Sequence, residues 1–126
     1  MSNARKQKRE RGQAVVEFAL VLPILAMLIL GIVQFGIVFH DYVALTDAVR
    51  AGARQGSVTH DASAATAAVL DSASELKASD VAVDVDSSWD PGSDVTVTAT
   101  YPYDISLLGV VIKSGRLSAK TTDRVE

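Results

Sequence analysis

The chain has 126 residues, of which 48% are hydrophobic and 21% charged, and its formal net charge is −3. This length is enough for one small domain, and the absence of cysteine excludes disulfides and zinc–thiolate sites. The charge is uneven, since residues 1–12 sum to +4 from their side chains and the remaining residues sum to −7. The charged residues of the first segment are Arg5, Lys6, Lys8, Arg9 and Arg11, against Glu10.

This basic run predicts the orientation of the chain. Basic residues beside a membrane segment stay in the cytoplasm. Residues 1–12 are therefore predicted to form a basic cytoplasmic leader without regular structure, and the acidic remainder is expected outside the membrane. A nucleic-acid partner is not expected, because an apolar segment follows at once and no second basic surface appears later.

Residues 18–39 form the apolar segment. They contain no charged side chain, and Gln34 is the only strongly polar residue among them. These 22 positions match the roughly 20 residues of helix that a bilayer core requires, which predicts a transmembrane segment. A cleaved secretory signal would need a shorter apolar region and a nearby small-x-small site. The nearest such site, Ala51-Gly52-Ala53, begins 12 residues past the segment, which disfavours that alternative.

The helical pattern continues beyond the apolar segment. In "HDYVALTDAVRAGARQGSV" a stripe of apolar and small residues recurs at spacings of three and four, which is typical of an amphipathic helix. The stripe consists of Leu45, Ala48, Val49, Gly52 and Gly56. One long helix is therefore predicted over residues 13–57, with its transmembrane part at 18–39. A second helix is predicted over about 62–77, with a narrow apolar stripe of Ala65, Val69, Ala73 and Leu76.

The period then changes from helix to strand. "DVAVDVDS" and "DVTVTATY" alternate apolar and polar residues, and "SSWDPGS" between them supplies an Asp-Pro-Gly turn, so two antiparallel strands are predicted. Proline cannot donate to a strand ladder, so Tyr101-Pro102-Tyr103 is expected to end the second strand. "ISLLGVVI" is either a strand or a loop under the sheet, and "RLSAKTTDRV" is a last strand. The predicted fold class is α+β: a long helix, a short helix and an antiparallel sheet of three to four strands, with residues 58–126 forming an extracytoplasmic head.

Catalytic and metal chemistry has little support in this sequence. The two histidines, His40 and His60, are interpreted as structural, and no cofactor or enzyme activity is expected. Only a weak calcium candidate occurs, in the segment "DVDSSWDPGSD", because carboxylate oxygens are calcium ligands. Counted from Asp84, the loop has Trp89 and Val95 where an EF-hand has glycine and glutamate, so a solvated acidic hairpin is favoured. The candidate carboxylates are Asp84, Asp86, Asp90 and Asp94.

The most informative pattern lies at the start of the apolar segment. Glu17 directly precedes that segment, and an ionisable residue at a membrane is a functional candidate by default. An alternative is that Glu17 only sits at the interface or adds favourable charge to a helix N-terminus. A cut after Gly12 would create an ammonium group at Gln13, one helical turn from Glu17. In an assembly of parallel helices, that ammonium of one subunit and the carboxylate of its neighbour would compensate each other.

This arrangement resembles a known leader. Glycine, four residues and Glu-Phe before a hydrophobic helix look like the class III leader of type IV pilin-like proteins. "RGQAVVEFALVLPILAMLILGIVQFG", followed by "ALTDAVRAGARQGS", is more specifically similar to the TadE-like pseudopilins of the tight-adherence (Tad, or Flp) pilus. The match covers roughly residues 11–57. The head makes the chain resemble a minor pilin, because the main fibre subunit of that pilus is much shorter.

The resemblance implies a role for each residue of the motif. Gly12 is the last leader residue, before a cut by prepilin peptidase, and Gln13 is the first mature residue. Glu17 is the assembly carboxylate, and Phe18 takes the aromatic place after it. The implied protein is a minor pseudopilin of the inner membrane, in a hetero-oligomer with other pilins or pseudopilins and the Tad membrane platform, and an extracellular pilus is a second location. The alternatives are an uncleaved single-pass protein whose head binds an envelope partner or ligand, and an extracytoplasmic enzyme or metal-binding module.

Overall fold

The structure is a computed structural model that describes residues 2–126. It contains helix α1 (Ser2–Thr59), helix α2 (Ala62–Ser72), one 3-10 turn (Ala78–Asp80) and strands β1 (Ala82–Asp86), β2 (Asp94–Leu107) and β3 (Val110–Arg124). The strands form one antiparallel sheet in the order β1-β2-β3. The predicted α+β class, with a long helix, a short helix and a small antiparallel sheet, is confirmed.

Helix α1 is longer than predicted. It begins at Ser2 instead of near residue 12, so the expectation that residues 1–12 lack regular structure is wrong for the residues described. The physical reason is the composition of that segment, since Arg, Lys, Gln and Glu are good helix formers. Pro23 lies inside the helix without ending it. The helix ends at a left-handed residue, His60 (φ 55°), whose N–H donates to the carbonyl of Gly56 at 2.9 Å.

Helix α2 is shorter than predicted and ends at Ser72. Its N-cap is Asp61, whose Oδ1 accepts the backbone N–H of Ser63 at 3.0 Å. Serine competes with the helix by bonding to nearby backbone, and the helix ends at the first residue of a serine-rich segment, Ser72. Ala73 and Leu76 nevertheless remain buried, so the predicted apolar stripe is confirmed even where the helix is not.

Strand β2 does not end at the proline as predicted. It continues through Pro102, which lies opposite Arg116 of β3, to Leu107. Strand β1 has already ended, since its last partner pair on that side is Ala82 with Thr100. One edge of β2 is therefore unpaired at the proline, and an edge position tolerates a missing N–H. "ISLLGVVI" consequently forms the end of a β2–β3 hairpin, which turns at Leu108 and Gly109.

The core lies between the outer third of α1, helix α2 and one face of the sheet. Its fully buried large side chains are Leu45, Val49, Val69, Val95, Val97 and Val125. Glycine permits close packing of the helices here, because a Cβ at Gly52 would overlap Cγ2 of Val69 and one at Gly56 would lie 3.2 Å from the Cβ of Ala65. The stripe predicted from Leu45 to Gly56 is confirmed as the buried face of α1.

The segment after β3 closes the head against the end of α1. The N–H of Glu126 donates to the carbonyl of Ser57 at 3.1 Å, and the N–H of Val125 donates to the carbonyl of Ser93 at 2.8 Å. These bonds join the outer end of α1 to the β1–β2 turn, where Ser93 donates to the carbonyl of Asp90 at 2.9 Å. The helix and the sheet are therefore fixed to each other at this end.

Candidate functional site

The four motif residues lie together on two adjacent turns of α1, in its fully exposed N-terminal half. Gln13 Nε2 donates to Glu17 Oε1 at 3.5 Å, a separation of one helical turn. Position 13 and Glu17 therefore share one face of the helix, as their i, i+4 spacing predicts. Phe18 follows on the next face with 63% of its side chain exposed.

Gly12 has no packing role within the chain. A Cβ built on it meets no heavy atom within 4 Å. Its backbone is helical, so the fold does not require a glycine at this position. Glycine in a helix interior is roughly 1 kcal/mol less favourable than alanine. Gly12 therefore destabilises the helix locally, and packing within the chain gives no reason for a glycine at this position.

The helix that follows presents apolar surface on all sides. Every large hydrophobic side chain from Val15 to Phe39 except Val38 is exposed in the chain. α1 is, by its length and composition, the one helix in the described residues able to cross a membrane. An isolated helix that is apolar all round is typical of a segment surrounded by lipid or by other helices.

Glu17 has no cationic partner among the residues that the structure describes. Its one side-chain contact within hydrogen-bonding range there is the amide of Gln13. A carboxylate bordering 22 uncharged positions is costly to bury without compensation. A group that compensated a buried Glu17 would come from outside this helix or from a change at its N-terminal end.

The acidic hairpin places its carboxylates on the solvent side. Asp84 and Asp86 alternate on β1 with the half-buried Val83 and Val85 and point away from the core. Asp90 and Asp94 are exposed at the turn and at the start of β2. Across residues 3–126 the side chains bring together no group of three potential metal ligands. The four candidate aspartates are thus not gathered into a metal site in this structure.

Both histidines make contacts that join elements of the head. His40 Nε2 lies 2.8 Å from Glu75 Oε2, which links the outer end of the apolar segment to the segment after α2. His60 Nε2 lies 2.9 Å from the carbonyl oxygen of Glu126. Trp89 packs on the core from a left-handed position (φ 61°), with Cη2 3.6 Å from a Cβ built on Gly56.

The combination of these features defines a class: a small α+β head carried on a helix able to cross a membrane, with a carboxylate at the start of its apolar part. Residues 12–54 match the family model described as TadE-like protein, which covers 43 of the 126 residues. The predicted resemblance is thereby confirmed, and the chain is consistent with a TadE-like protein of Tad pili. No curated protein and no solved structure matches the chain.

One surface was left undecided by sequence reasoning. From the sequence, "ISLLGVVI" was either a strand or a loop under the sheet. In the structure it forms the end of the β2–β3 hairpin, and it exposes large apolar side chains. The exposed residues are Leu108, Val110, Val111 and Ile112. The signal present in the sequence was the run of apolar residues on both sides of a turn residue, Gly109, which is typical of a hairpin.

Proposed function

We propose that this protein is a minor pseudopilin that is anchored in the inner membrane and acts in assembly of a Tad-type adhesive pilus or its secretion apparatus. The observation that carries the proposal is the position of Glu17. It shares a helix face with position 13, borders an exposed apolar helix and has no cation within reach in the described residues. The TadE-like match includes all of these positions.

The first step is cleavage by prepilin peptidase between Gly12 and Gln13. Gly12 has no side chain and an unfavourable helix propensity, which would ease local opening of the helix beside the cut. Cleavage removes the basic leader and places an ammonium group on Gln13. The basic residues set the orientation before the cut, with the N-terminus on the cytoplasmic side and the head outside.

The second step is lateral association through α1. A carboxylate and an ammonium group that are both removed from water are each penalised alone and compensate each other when paired. The Glu17 carboxylate of one subunit would accept hydrogen bonds from the Gln13 ammonium of its neighbour, with Phe18 packing beside them. This pairing fixes the register of the helices. The partners are other pilins or pseudopilins and the Tad membrane platform, in a hetero-oligomer.

The N-terminus of the mature protein tests the first step. The protein is expressed with active prepilin peptidase, with a catalytically inactive peptidase and without peptidase, and its mass is measured after membrane extraction. A species that begins at Gln13 is expected only with the active enzyme. A chain that retains the leader in the presence of active peptidase would refute processing.

One observation favours a second candidate. Helix α1 passes through Gly12 without interruption, so the uncleaved chain is already a continuous membrane-length helix. On this alternative the protein is an uncleaved single-pass anchor whose head binds an envelope partner or ligand. The same mass measurement separates the two candidates, since the anchor would keep residues 1–12 under all three conditions.

A further inference from the structure

The end of the β2–β3 hairpin is an apolar surface with no partner in the chain. Its residues Leu108, Val110, Val111 and Ile112 are 73%, 65%, 58% and 61% exposed. We refer to residues 107–112 as the hairpin tip. A polar hairpin turn costs less in water, so the concentration of large apolar side chains at this tip marks a candidate contact with an apolar environment.

Contacts along the head show which way the hairpin points. At the outer end, Gly56 of α1 lies against Val95 at the start of β2. Further toward the membrane segment, His40 pairs with Glu75, and Lys77 donates its N–H to the hydroxyl of Tyr101 at 3.4 Å.

Between the Gly56–Val95 contact and the level of His40 and Tyr101, α1 and β2 span similar lengths. The 16 residues from Gly56 to His40 span about 24 Å of helix, and the six residues from Val95 to Tyr101 span about 20 Å of strand. β2 therefore runs beside α1 toward the apolar segment.

The hairpin continues past this level. From Tyr101 to Leu107 there are six more residues, which extend by up to about 20 Å in a straight strand. Phe39, the last residue of the apolar segment, is next to His40 in the chain. The hairpin tip therefore points toward the level of the apolar segment, past a register shift between Ile105 and Ser106, and not toward the outer end of the head.

Two local features fit contact with lipid. Lys113 follows the tip on β3, and a basic side chain at this position can reach anionic head groups while apolar neighbours face the acyl chains. Leu108 holds a left-handed backbone (φ 52°) before Gly109 (φ 80°), a pair that matches a type I′ turn. Asparagine or aspartate is favoured at such a position, so the preference of the turn does not explain the leucine.

We propose that the hairpin tip inserts into the outer leaflet of the membrane that α1 spans, as a second, shallow attachment of the head. The outer edges of a two-stranded hairpin have unpaired backbone groups, which hydrocarbon does not accept. Insertion is therefore limited to the tip, at the depth of the head groups and the first carbons of the acyl chains. This inference rests on α1 spanning the membrane, as in the proposed function.

Single-cysteine labelling of the full chain tests this insertion, because the chain has no native cysteine. An environment-sensitive fluorophore is attached at Val111→Cys, at Val58→Cys or at Ile29→Cys, in vesicles of phosphatidylethanolamine and phosphatidylglycerol. Val58 is the matched control, since it is 57% exposed on the outer end of α1. Ile29 reports the transmembrane segment. Quenching by iodide in water is compared with quenching by lipids that carry a spin label near the head group.

The label at position 111 is expected to be quenched by the lipid spin label and protected from iodide, with the label at 58 showing the reverse. If position 111 behaves like position 58 while position 29 is in lipid, the insertion is refuted and the anchor stands. If position 29 is also open to iodide, the anchor and the insertion are both refuted.

A second variant separates lipid contact from hairpin folding. Leu108→Asp suits the type I′ turn but places a charge at the bilayer. The lipid quenching of the Val111→Cys label is expected to fall by about twofold or more, because a carboxylate is expelled from hydrocarbon. The thermal unfolding midpoint of the head is expected not to fall. Unchanged quenching in a folded Leu108→Asp chain would overturn the proposal.

Discussion

Gly52 of α1 lies directly against Val69 of α2, so closely that a methyl group on Gly52 would overlap Cγ2 of Val69. This contact sets the separation of the two helices at the centre of the core. Ala65 contributes its backbone carbonyl oxygen, 3.0 Å from the same methyl position. The small residues in both helix stripes are thus required by the distance between the helices.

Gly52→Ala is expected to destabilise the head by roughly 1–3 kcal/mol, the usual cost of overpacking a dense core. Gly36→Ala is the matched control, since a Cβ there meets nothing within 4 Å. The double variant Gly52→Ala/Val69→Ala should lose less stability than the sum of its single variants, because removing Cγ2 relieves the overlap. Thermal unfolding in detergent, followed by circular dichroism, measures the wild type and all four variants: the two glycine variants, Val69→Ala and the double variant. Additive losses would show that the two side chains do not compete for the same space.

Gly12→Ala is expected to block processing while leaving the fold intact. The Cβ has free space in the chain, and alanine strengthens the helix by roughly 1 kcal/mol, so the peptidase meets both a side chain and a more stable helix. Mass spectrometry of the membrane fraction should detect the full-length chain. Gly36→Ala makes the same chemical change in the same helix and should be processed normally. Normal cleavage of the Gly12→Ala chain would contradict the assigned site.

Glu17→Ala is expected to leave processing intact and to abolish assembly. The carboxylate follows the cut and contacts only Gln13 within the described chain, so neither the head nor the peptidase recognition of Gly12 should change. Incorporation is measured by crosslinking to neighbouring pilins in membranes and by counting pili. Glu10→Ala, which removes a carboxylate from the leader, is the control and should assemble normally. Wild-type numbers of pili from the Glu17→Ala strain would refute the assembly role.

Asp61 gives the head a defined acid sensitivity. The hydroxyl of Ser63 donates to the Asp61 carboxylate at 2.8 Å, the Ser63 backbone N–H donates to it at 3.0 Å, and these bonds lower the pKa of Asp61 below its ordinary value of 3.8. A lowered folded-state pKa means that this cap contributes stability above about pH 3.8 and loses it as the pH falls through the folded-state pKa.

The unfolding midpoint of Asp61→Ala should therefore lie below that of the wild type at pH 7, and the difference should narrow as the pH falls below 4, the region of the ordinary carboxyl pKa. Asp71→Ala, on the same helix and without a capping bond, should change the midpoint little at either pH. Thermal scans over this pH range measure both differences. A gap between wild type and Asp61→Ala that stays constant with pH would contradict the capping role.

The sequence predicted the parts of the fold that depend on periodicity. The stripe from Leu45 to Gly56 and the alternation from Val95 to Tyr101 both mark the buried faces, because burial of one side imposes the period. The start of α1 at Ser2 was missed, since residues 2–12 have helix propensity but no apolar pattern. The passage of β2 through Pro102 was missed because it depends on where β1 ends, which is a tertiary relationship.

The sequence likewise predicted only part of the candidate site. The shared helix face of Gln13 and Glu17 follows from their spacing and is present in the structure. In the proposed function, its chemistry is not contained in one chain, because cleavage would create the cation and a neighbouring subunit would supply it. The direction of the hairpin could not be predicted either, since it follows from contacts between Lys77 and Tyr101 and between His40 and Glu75.

The continuity of α1 has a geometrical consequence for an assembly. Glu17 and Leu45 lie on one unbroken helix, 28 residues apart, which at 3.6 residues per turn separates them by roughly 80° around the helix axis. The angle at which the head leaves the helix is thus fixed relative to Glu17. Subunits joined through Glu17 would all present their heads at the same angle around the helix axis. The rotation between neighbouring heads in a helical array would then depend on Glu17 and Leu45, which do not touch one another.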